Sequence, residues 1–325
     1  MSYFTVLRFN FANPGGDSRV QQAAVGAALE LARWGESRGI AAVSVDEHHA
    51  TGHGWCANPV LAAGMFLSST QHLVVSVDCA LGPLWHPVRL AEDIAFVDSM
   101  SGGRLHVTLG LGYREDEYEL LTARFGRRGR EMDLLLERLL AAWAEGPAAV
   151  TPRPVTRPHP HIYVGGGVRA SAERAARFGL PLSLPDHLPE VADHYRRLCR
   201  ERGHEPVVIM PPADKRGMIF VHEDPDRAWA ELGHHLLWEA TTYGRWAAGG
   251  ARSYMHLPGV TTIEELRASG RYRFVTPQEL VGELRADSSR QPLVLHPLAG
   301  GMAVEQAWRS VELLADAVLP RLSAA

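Results

Sequence analysis

The sequence predicts a (β/α)8 TIM barrel, an α/β fold, with an insertion between strands seven and eight. Three observations carry this. Short β-branched runs alternate with longer segments of helical period, which implies parallel strands joined by right-handed crossovers. About eight such units fit a chain of 325 residues, the size of a single-core barrel. Strand one runs into Asn10-Phe11-Ala12-Asn13-Pro14-Gly15-Gly16, whereas an open doubly wound sheet carries G-x-G-x-x-G at that place.

The elements follow in order. Tyr3 to Phe9 reads as strand one, and Val20 to Arg38 as a helix stopped by Gly39. Ile40 to Val45 and Leu73 to Val77 are strands two and three, with helices at Pro59 to Thr70 and Val88 to Met100. Leu105 to Leu109 is strand four. Met132, Leu135, Leu136, Leu139, Leu140 and Trp143 then share one face of a helix. After a proline-rich loop, His161 to Val164 and Leu180 to Leu184 give strands five and six. Val207 to Met210 or Met218 to Val221 supplies strand seven, followed by a helix from Pro225 to Ala240. A short helix at Pro277 to Arg285, strand eight at Leu293 to Leu295 and a helix from Val304 to Leu322 complete the barrel. Residues 1–325 make one domain, in which about 241–272, rich in Gly, Arg and aromatics, is an irregular insertion or lid over the active site.

Composition narrows the function. The chain is 46% hydrophobic and 22% charged, and its formal net charge of -4 gives no reason to expect nucleic acid or an anionic membrane as partner. Cys56, Cys79 and Cys199 are odd in number and widely spaced, which argues against a disulfide framework or a structural zinc site. Lys215 is the one lysine, so Schiff-base chemistry has a single candidate. The N-terminus lacks the pattern of a signal peptide and no apolar run reaches ~18 residues; a cytoplasmic protein is expected.

In such a barrel the chemistry sits at the C-terminal strand ends. Strand one delivers Arg8 and Asn10 there. Strand two delivers Asp46-Glu47-His48-His49, strand three Asp78-Cys79 and then Trp85-His86-Pro87, and strand four Gly110-Leu111-Gly112-Tyr113. Strand five delivers Gly165-Gly166-Gly167, opening a helix whose first turn holds Arg169 and Ser171. Glycines let backbone approach a ligand, and the N–H groups and positive dipole of a helix start favour a phosphate; the alternative is a plain flexible turn. Adjacent residues on a strand face opposite ways, so His48 and His49 do not share one metal ion, and no second ligand cluster follows. A single inward His48, acting in proton transfer or hydrogen bonding, reads better than metal binding; a loop histidine that only packs is the bland alternative. Cys79 reads as a small buried residue, and His86 as a helix cap or a catalytic group. Trp55, Trp85, Tyr113, Tyr243 and Trp246 are candidates for lining an apolar pocket.

The residues resemble the bacterial-luciferase-like flavin-dependent oxidoreductases over most of the chain. The matching parts are Glu47-His48-His49, Asn58-Pro59, the block from His86 to Arg104 (HPVRLAEDIAFVDSMSGGR), Gly110 to Tyr113, Gly165 to Gly167, Phe178 to Pro181, Thr276 to Glu279 and Val318 to Pro320. The resemblance implies a flavin on the C-terminal face, bound through Asp78, Cys79, Ala80, Gly110, Gly112, Gly165, Gly166, Gly167, Val168 and Arg169. Its phosphate would lie at the strand-five loop, and a bulge with a non-prolyl cis peptide would fall at Asp78-Cys79. It implies His48 as the active-site histidine, with Glu47 and His86 tuning it. Luciferases carry an arginine where this chain has Leu111, so either Arg169 takes over the phosphate or the phosphate is held more weakly and the flavin exchanges freely.

The activity so implied is oxygenation of a small organic substrate with O2 and reduced flavin mononucleotide (FMN) from a separate flavin reductase, by a homodimer that holds no metal. Glu-His-His after strand two is more like the FMN members than the deazaflavin members. A deazaflavin-dependent hydride-transfer enzyme is the alternative on the same scaffold, and a non-catalytic flavin-binding barrel the alternative of another class. A glycosidase using Glu47 and Asp78 is disfavoured by the glycine-rich loop.

Overall fold

A computed structural model describes residues 3–247 and 255–323. Its strands form a parallel sheet in the order β7-β6-β5-β4-β3-β2-β1-β10-β8-β9. They are β1 Thr5–Phe9, β2 Ala42–Val45, β3 Val74–Leu81, β4 Leu105–Gly110, β5 His161–Gly165, β6 Leu182–Ser183, β7 Val208–Ile209, β8 Met218–Val221, β9 Tyr272–Val275 and β10 Leu293–Leu295. The last strand lies beside the first, with Thr5 opposite Leu293 and Leu7 opposite Leu295, as the parallel strand order of a (β/α)8 fold requires. Helices α1 Ser18–Glu36, α2 Pro59–Ser69, α3 Pro87–Ser101, α4 Glu115–Leu120, α5 Arg128–Trp143, α6 Arg169–Phe178 and α7 Pro189–Arg202 follow the first six strands. Helices α8 Pro225–Trp246, α9 Ile263–Ala268, α10 Pro277–Ala286, α11 Val304–Leu313 and α12 Leu319–Ser323 complete the chain.

The core explains the alternation of the strands. Val75, Val77, Val107, Leu109, Ile162 and Val164 point outward and are buried with helix residues such as Leu90, Ile94 and Leu135. Each such side chain contributes roughly 1.5–3 kcal/mol. The residues between them face the barrel interior. A second apolar cluster, built on Phe220, Trp229, Tyr272 and Phe274, fixes α8 and β9.

Helix starts carry the expected chemistry. Asp17 accepts hydrogen bonds from Arg19 N and Val20 N, and Asn58 from Leu61 N. Thr276 with Glu279 and Thr262 with Glu265 form capping boxes. The long block ending at Arg104 has a structural purpose. Buried Asp98 accepts Val155 N at 2.7 Å and Thr156 N at 3.0 Å, pinning the proline-rich loop. Arg104 donates to the carbonyls of Leu67, Thr70 and Leu73, stapling α2 to β3.

The sequence reading departs from this structure mainly after residue 200. Both candidates for strand seven are strands, β7 on β6 and β8 on β10. Helix α8 runs on to Trp246 through Thr241, Thr242 and Gly244; burial of Leu236, Ala240 and Tyr243 outweighs their poor helix propensity. The stretch read as irregular therefore holds a helix end, α9 and the first residue of β9, while residues 248–254 lie outside the described part. Strand three extends past Val77 to Leu81, because the ladder to β4 resumes after a bulge between Asp78 and Ala80. The final helix is interrupted by a π-helical turn at Leu314–Val318.

Candidate active site

Strands β1 and β2 bring a dense polar cluster to the C-terminal mouth. Arg8 Nη2 lies 2.6 Å from Asp46 Oδ2 and donates to Tyr243 OH at 2.9 Å, and that hydroxyl donates to Asp46. Asn10 Nδ2 donates to Glu239 Oε2 at 2.9 Å, and Tyr272 OH to Glu239 Oε1 at 3.1 Å. His296 Nε2 is 3.1 Å from the same carboxylate. Glu239 and His296 are fully buried. Burial pushes the Glu239 carboxyl up, but His296, Arg8 and Asn10 outweigh it and hold it at about 2.

His48 sits over this cluster. Its Nδ1 is 3.0 Å from Glu117 Oε1. That oxygen also accepts His49 N at 3.1 Å and lies 3.4 Å from Arg114 Nη1. An oxygen already accepting from other donors assigns the Nδ1 proton of His48 to the hydrogen bond with Glu117, and Nε2 is the ring nitrogen that this contact leaves uncommitted. Trp55, Tyr113, Tyr243 and Trp246 surround the ring at centroid distances of 4.8–6.0 Å. Arg114 lies over Trp246 at 4.2 Å, tying that wall to Glu117. Four of the five aromatics picked from the sequence thus form one box. The fifth, Trp85, donates from Nε1 to Glu47 at 3.1 Å.

Glu47 is buried and committed. Its oxygens accept Leu81 N at 2.7 Å and the Trp85 indole, and lie 2.8 Å from His49 Nε2. The hydrogen bond to Glu47 raises the His49 pKa, against burial. A carboxylate so occupied ties β2 to β3 and is not free to attack a sugar, which removes the glycosidase geometry. His86 stands apart. It is the residue preceding α3, with Pro87 in the first turn, its side chain is exposed and it makes no capping hydrogen bond.

Strands β3 to β5 build the other side of the mouth. The Asp78–Cys79 peptide is cis, as the resemblance implies. Asp78 accepts Ser76 Oγ at 2.8 Å and Thr108 Oγ1 at 3.2 Å, and burial raises its pKa. Burial, with Glu47 next, pushes the Cys79 thiol up to about 12, so it stays protonated and unreactive. Ala80 is buried in the outer core, leaving only its backbone toward the mouth. A Cβ on Gly110 would run into Cys79 Sγ, and one on Gly165 would come within 2.8 Å of Thr108 Cγ2. Gly166 has φ +143°, a conformation that favours glycine. Gly112, at φ +68°, turns the chain past Leu81 and Tyr118.

Val168 and Arg169 are exposed at the start of α6. No side chain caps this helix, and the N–H groups of Arg169 and Ala170 have no acceptor within it. A planar ring with an anionic tail fits these residues: glycines that let the strand ends and the helix start pack closely around it, backbone donors without acceptors within the helix and an exposed guanidinium.

Glu117, Arg114, Glu239 and His296 escape sequence reading, because no motif marks them and key partners are remote in the chain, 69 residues for His48–Glu117 and 229 for Asn10–Glu239. Among the described residues no group of three or more His, Cys, Asp or Glu is placed to hold a metal. Gly249, Gly250, Arg252 and Tyr254, which belong to the stretch expected as a lid over the site, lie outside the described part.

The profile of the luciferase-like monooxygenase family matches residues 4–284. The oxygenase component of a flavin-dependent trigonelline monooxygenase of Acinetobacter baylyi is 26% identical over 204 residues, 57% of each chain. An alkanal monooxygenase alpha chain of the Kryptophanaron alfredi symbiont is 26% identical over 194 residues, 54% of each. The chain thus spans a little over half the length of the curated relatives it matches. Among solved structures, monooxygenase RslO1 from Streptomyces bottropensis superposes with a TM-score of 0.72 at 24% identity, covering 99% of this chain and 100% of that one. The oxygenating constituent of 3,6-diketocamphane monooxygenase from Pseudomonas putida, solved with FMN, gives 0.67 at 17% identity over 98% of each. These two share the fold.

Proposed function

We propose a flavin-dependent oxygenation for this chain, which belongs to the luciferase-like monooxygenase family: it uses reduced FMN and O2 to insert oxygen into a small organic substrate. The reading is carried by one observation, the open glycine-built half of the mouth set against the enclosed His48–Glu117 pair. Bound reduced, the flavin supplies two electrons and the carbon that activates dioxygen. Gly110 and Gly165 to Gly167 bring bare backbone close to its ring and tail. The first turn of α6, with Val168 and Arg169, holds its phosphate, and Asp78, Cys79 and Ala80 border its ring.

His48 accepts or returns a proton at Nε2 while Glu117 fixes Nδ1–H. Glu117 and Glu47 are positioning residues, and His86 has no role in this scheme. The aromatic box excludes water from the reacting atoms. A separate reductase supplies reduced FMN, and the protein works in the cytoplasm.

The same reading makes the protein a homodimer. Leu61, Met65, Phe96 and Met100 are exposed along one groove between α2 and α3, beside the Arg89–Asp93 ion pair. A second copy of the same face covers this patch with a two-fold self-complementary surface. Sedimentation of wild type against Phe96→Asp tests it: a dimer that becomes a monomer is expected, and equal mass for both overturns it.

The cofactor reading is tested by anaerobic titration with reduced FMN and with a reduced deazaflavin, followed by admission of air. Saturable binding of FMN with oxygen uptake is expected. Binding of the deazaflavin alone, without oxygen uptake, selects the hydride-transfer enzyme; binding without turnover on any substrate selects the non-catalytic barrel.

A further inference from the structure

A (β/α)8 barrel normally fills its interior with layers of branched apolar side chains. Here the interior between β2 and β5 is polar. Ser44, Ser76, His106 and His161 stand in register as one row, and Asp78, Thr108 and Tyr163 as the next. None of them joins an apolar cluster, while the outward residues beside them all do. The two rows are linked. The His106 and His161 rings stack at 4.5 Å, and His106 Nδ1 lies 2.9 Å from Tyr163 OH. Ser76, opposite His106, donates to Asp78 Oδ2, and Thr108, opposite Tyr163, to Asp78 Oδ1. His161 is the first residue of β5 and exposed; Asp78 is exposed to the crevice at the other end.

We propose that this polar column is a proton path through the barrel, entering at His161, passing His106, Ser76, Tyr163 and Thr108, and ending on Asp78 at the cofactor side of the mouth. What the proton serves rests on the flavin reading above.

The groups have the right character for relay. Burial, with His161 next, holds His106 down at about 4, so near neutrality its ring is uncharged and can accept at one nitrogen while donating at the other. Asp78 is open to the crevice on one side, yet desolvation by the strand ends packed around its carboxyl raises it, against Ser76, Thr108 and the Arg8 charge, with Asp46 adding to the rise. Burial and Asp78 raise the Tyr163 phenol, which stays protonated. The direct hydrogen bonds are His106–Tyr163, Ser76–Asp78 and Thr108–Asp78; bridging water carries the steps from His161 to His106, His106 to Ser76 and Tyr163 to Thr108, and the half-exposed polar walls offer it partners.

Oxygenation leaves one oxygen of dioxygen in the product and the other as water, with both electrons taken from reduced flavin. Asp78 breaks its O–H bond as an O–H bond forms on the departing oxygen, and one solvent proton recharges it along the column. One flavin proton returns to solvent, so the sum is reduced flavin, dioxygen and substrate to oxidised flavin, product and water.

Two measurements test the path. In the flavin-free protein, infrared spectra of wild type minus Asp78→Asn are followed through a pH titration. A protonated-carboxyl band persisting above the ordinary aspartate range is expected; a band lost within that range overturns the proposal. This arm needs no flavin, so it decides even if the cofactor reading fails. In the second arm, aerobic oxidation of protein-bound reduced FMN is timed at the flavin absorbance. His106→Ala is expected to slow it at least about tenfold, without weakening FMN binding, and added imidazole to restore it. His106→Phe, which keeps the ring stack, serves if the alanine variant does not fold, with the same slowing expected. A wild-type rate in the folded variant, or slowing of the alanine variant that imidazole does not relieve, overturns the path.

Discussion

The two halves of the barrel mouth are built on opposite principles. On the β1–β2 side the functional groups are buried and already partnered: Arg8 with Asp46, Glu239 with His296, Glu47 with Trp85, His48 with Glu117. On the β3–β5 side the backbone is glycine, the helix start is uncapped and Arg169 stands in solvent. The difference teaches how one rigid scaffold divides labour. A preorganised half fixes proton positions before anything binds, and a receptive half keeps its donors for a ligand.

Substitutions break this contrast in graded ways. The largest effect is expected at His48. His48→Ala should slow aerobic turnover by about 10²–10⁴-fold with little change in FMN affinity, read by stopped-flow and by equilibrium titration. Parallel loss of both would make His48 part of the receptive half.

Next comes the buried pair under it. Glu239→Ala leaves His296 and Arg8 without their carboxylate, and should cost about 3–5 kcal/mol in urea unfolding. The pH dependence has a definite sign. Glu239 is held at about 2 in the folded chain against 4.5 for the free group, so its contribution of about 3 kcal/mol is full above pH 4.5. It is lost as pH falls toward 2. Glu239→Gln should flatten that part of the stability–pH curve; an unchanged curve would remove Glu239 from the account.

The receptive half responds through affinity instead. Gly165→Ala places a methyl against Thr108 and should weaken FMN binding about tenfold, or about 1.4 kcal/mol, with a smaller change in thermal midpoint. The smallest effect is expected at Arg169. Arg169→Ala should weaken FMN several-fold, with reduced salt dependence because an exposed charge is screened. Unchanged affinity would mean that nothing replaces the arginine absent at Leu111.

The halves also differ in how far the sequence disclosed them. The receptive half is written locally: Gly165-Gly166-Gly167 precedes an amphipathic helix within one stretch of chain, and Asp78-Cys79 ends a clear strand. The preorganised half is not. His48 stands out at its strand end, but Glu117 lies 69 residues on, in a short helix with no apolar period, and Glu239 is 229 residues from Asn10. Such pairs exist only once the barrel closes. Strand β9 was hidden for a related reason, since its four residues gain their partners from β8, half a hundred positions back.

The account stands on the receptive half holding the flavin and the preorganised half not doing so. Anaerobic titration of reduced FMN into wild type, Gly166→Val and His48→Ala tests it most directly. The expected result is saturable binding to wild type, at least about tenfold weaker binding to the valine variant, and affinity near wild type in the alanine variant. Absent binding in wild type, or equal weakening by both substitutions, would contradict it.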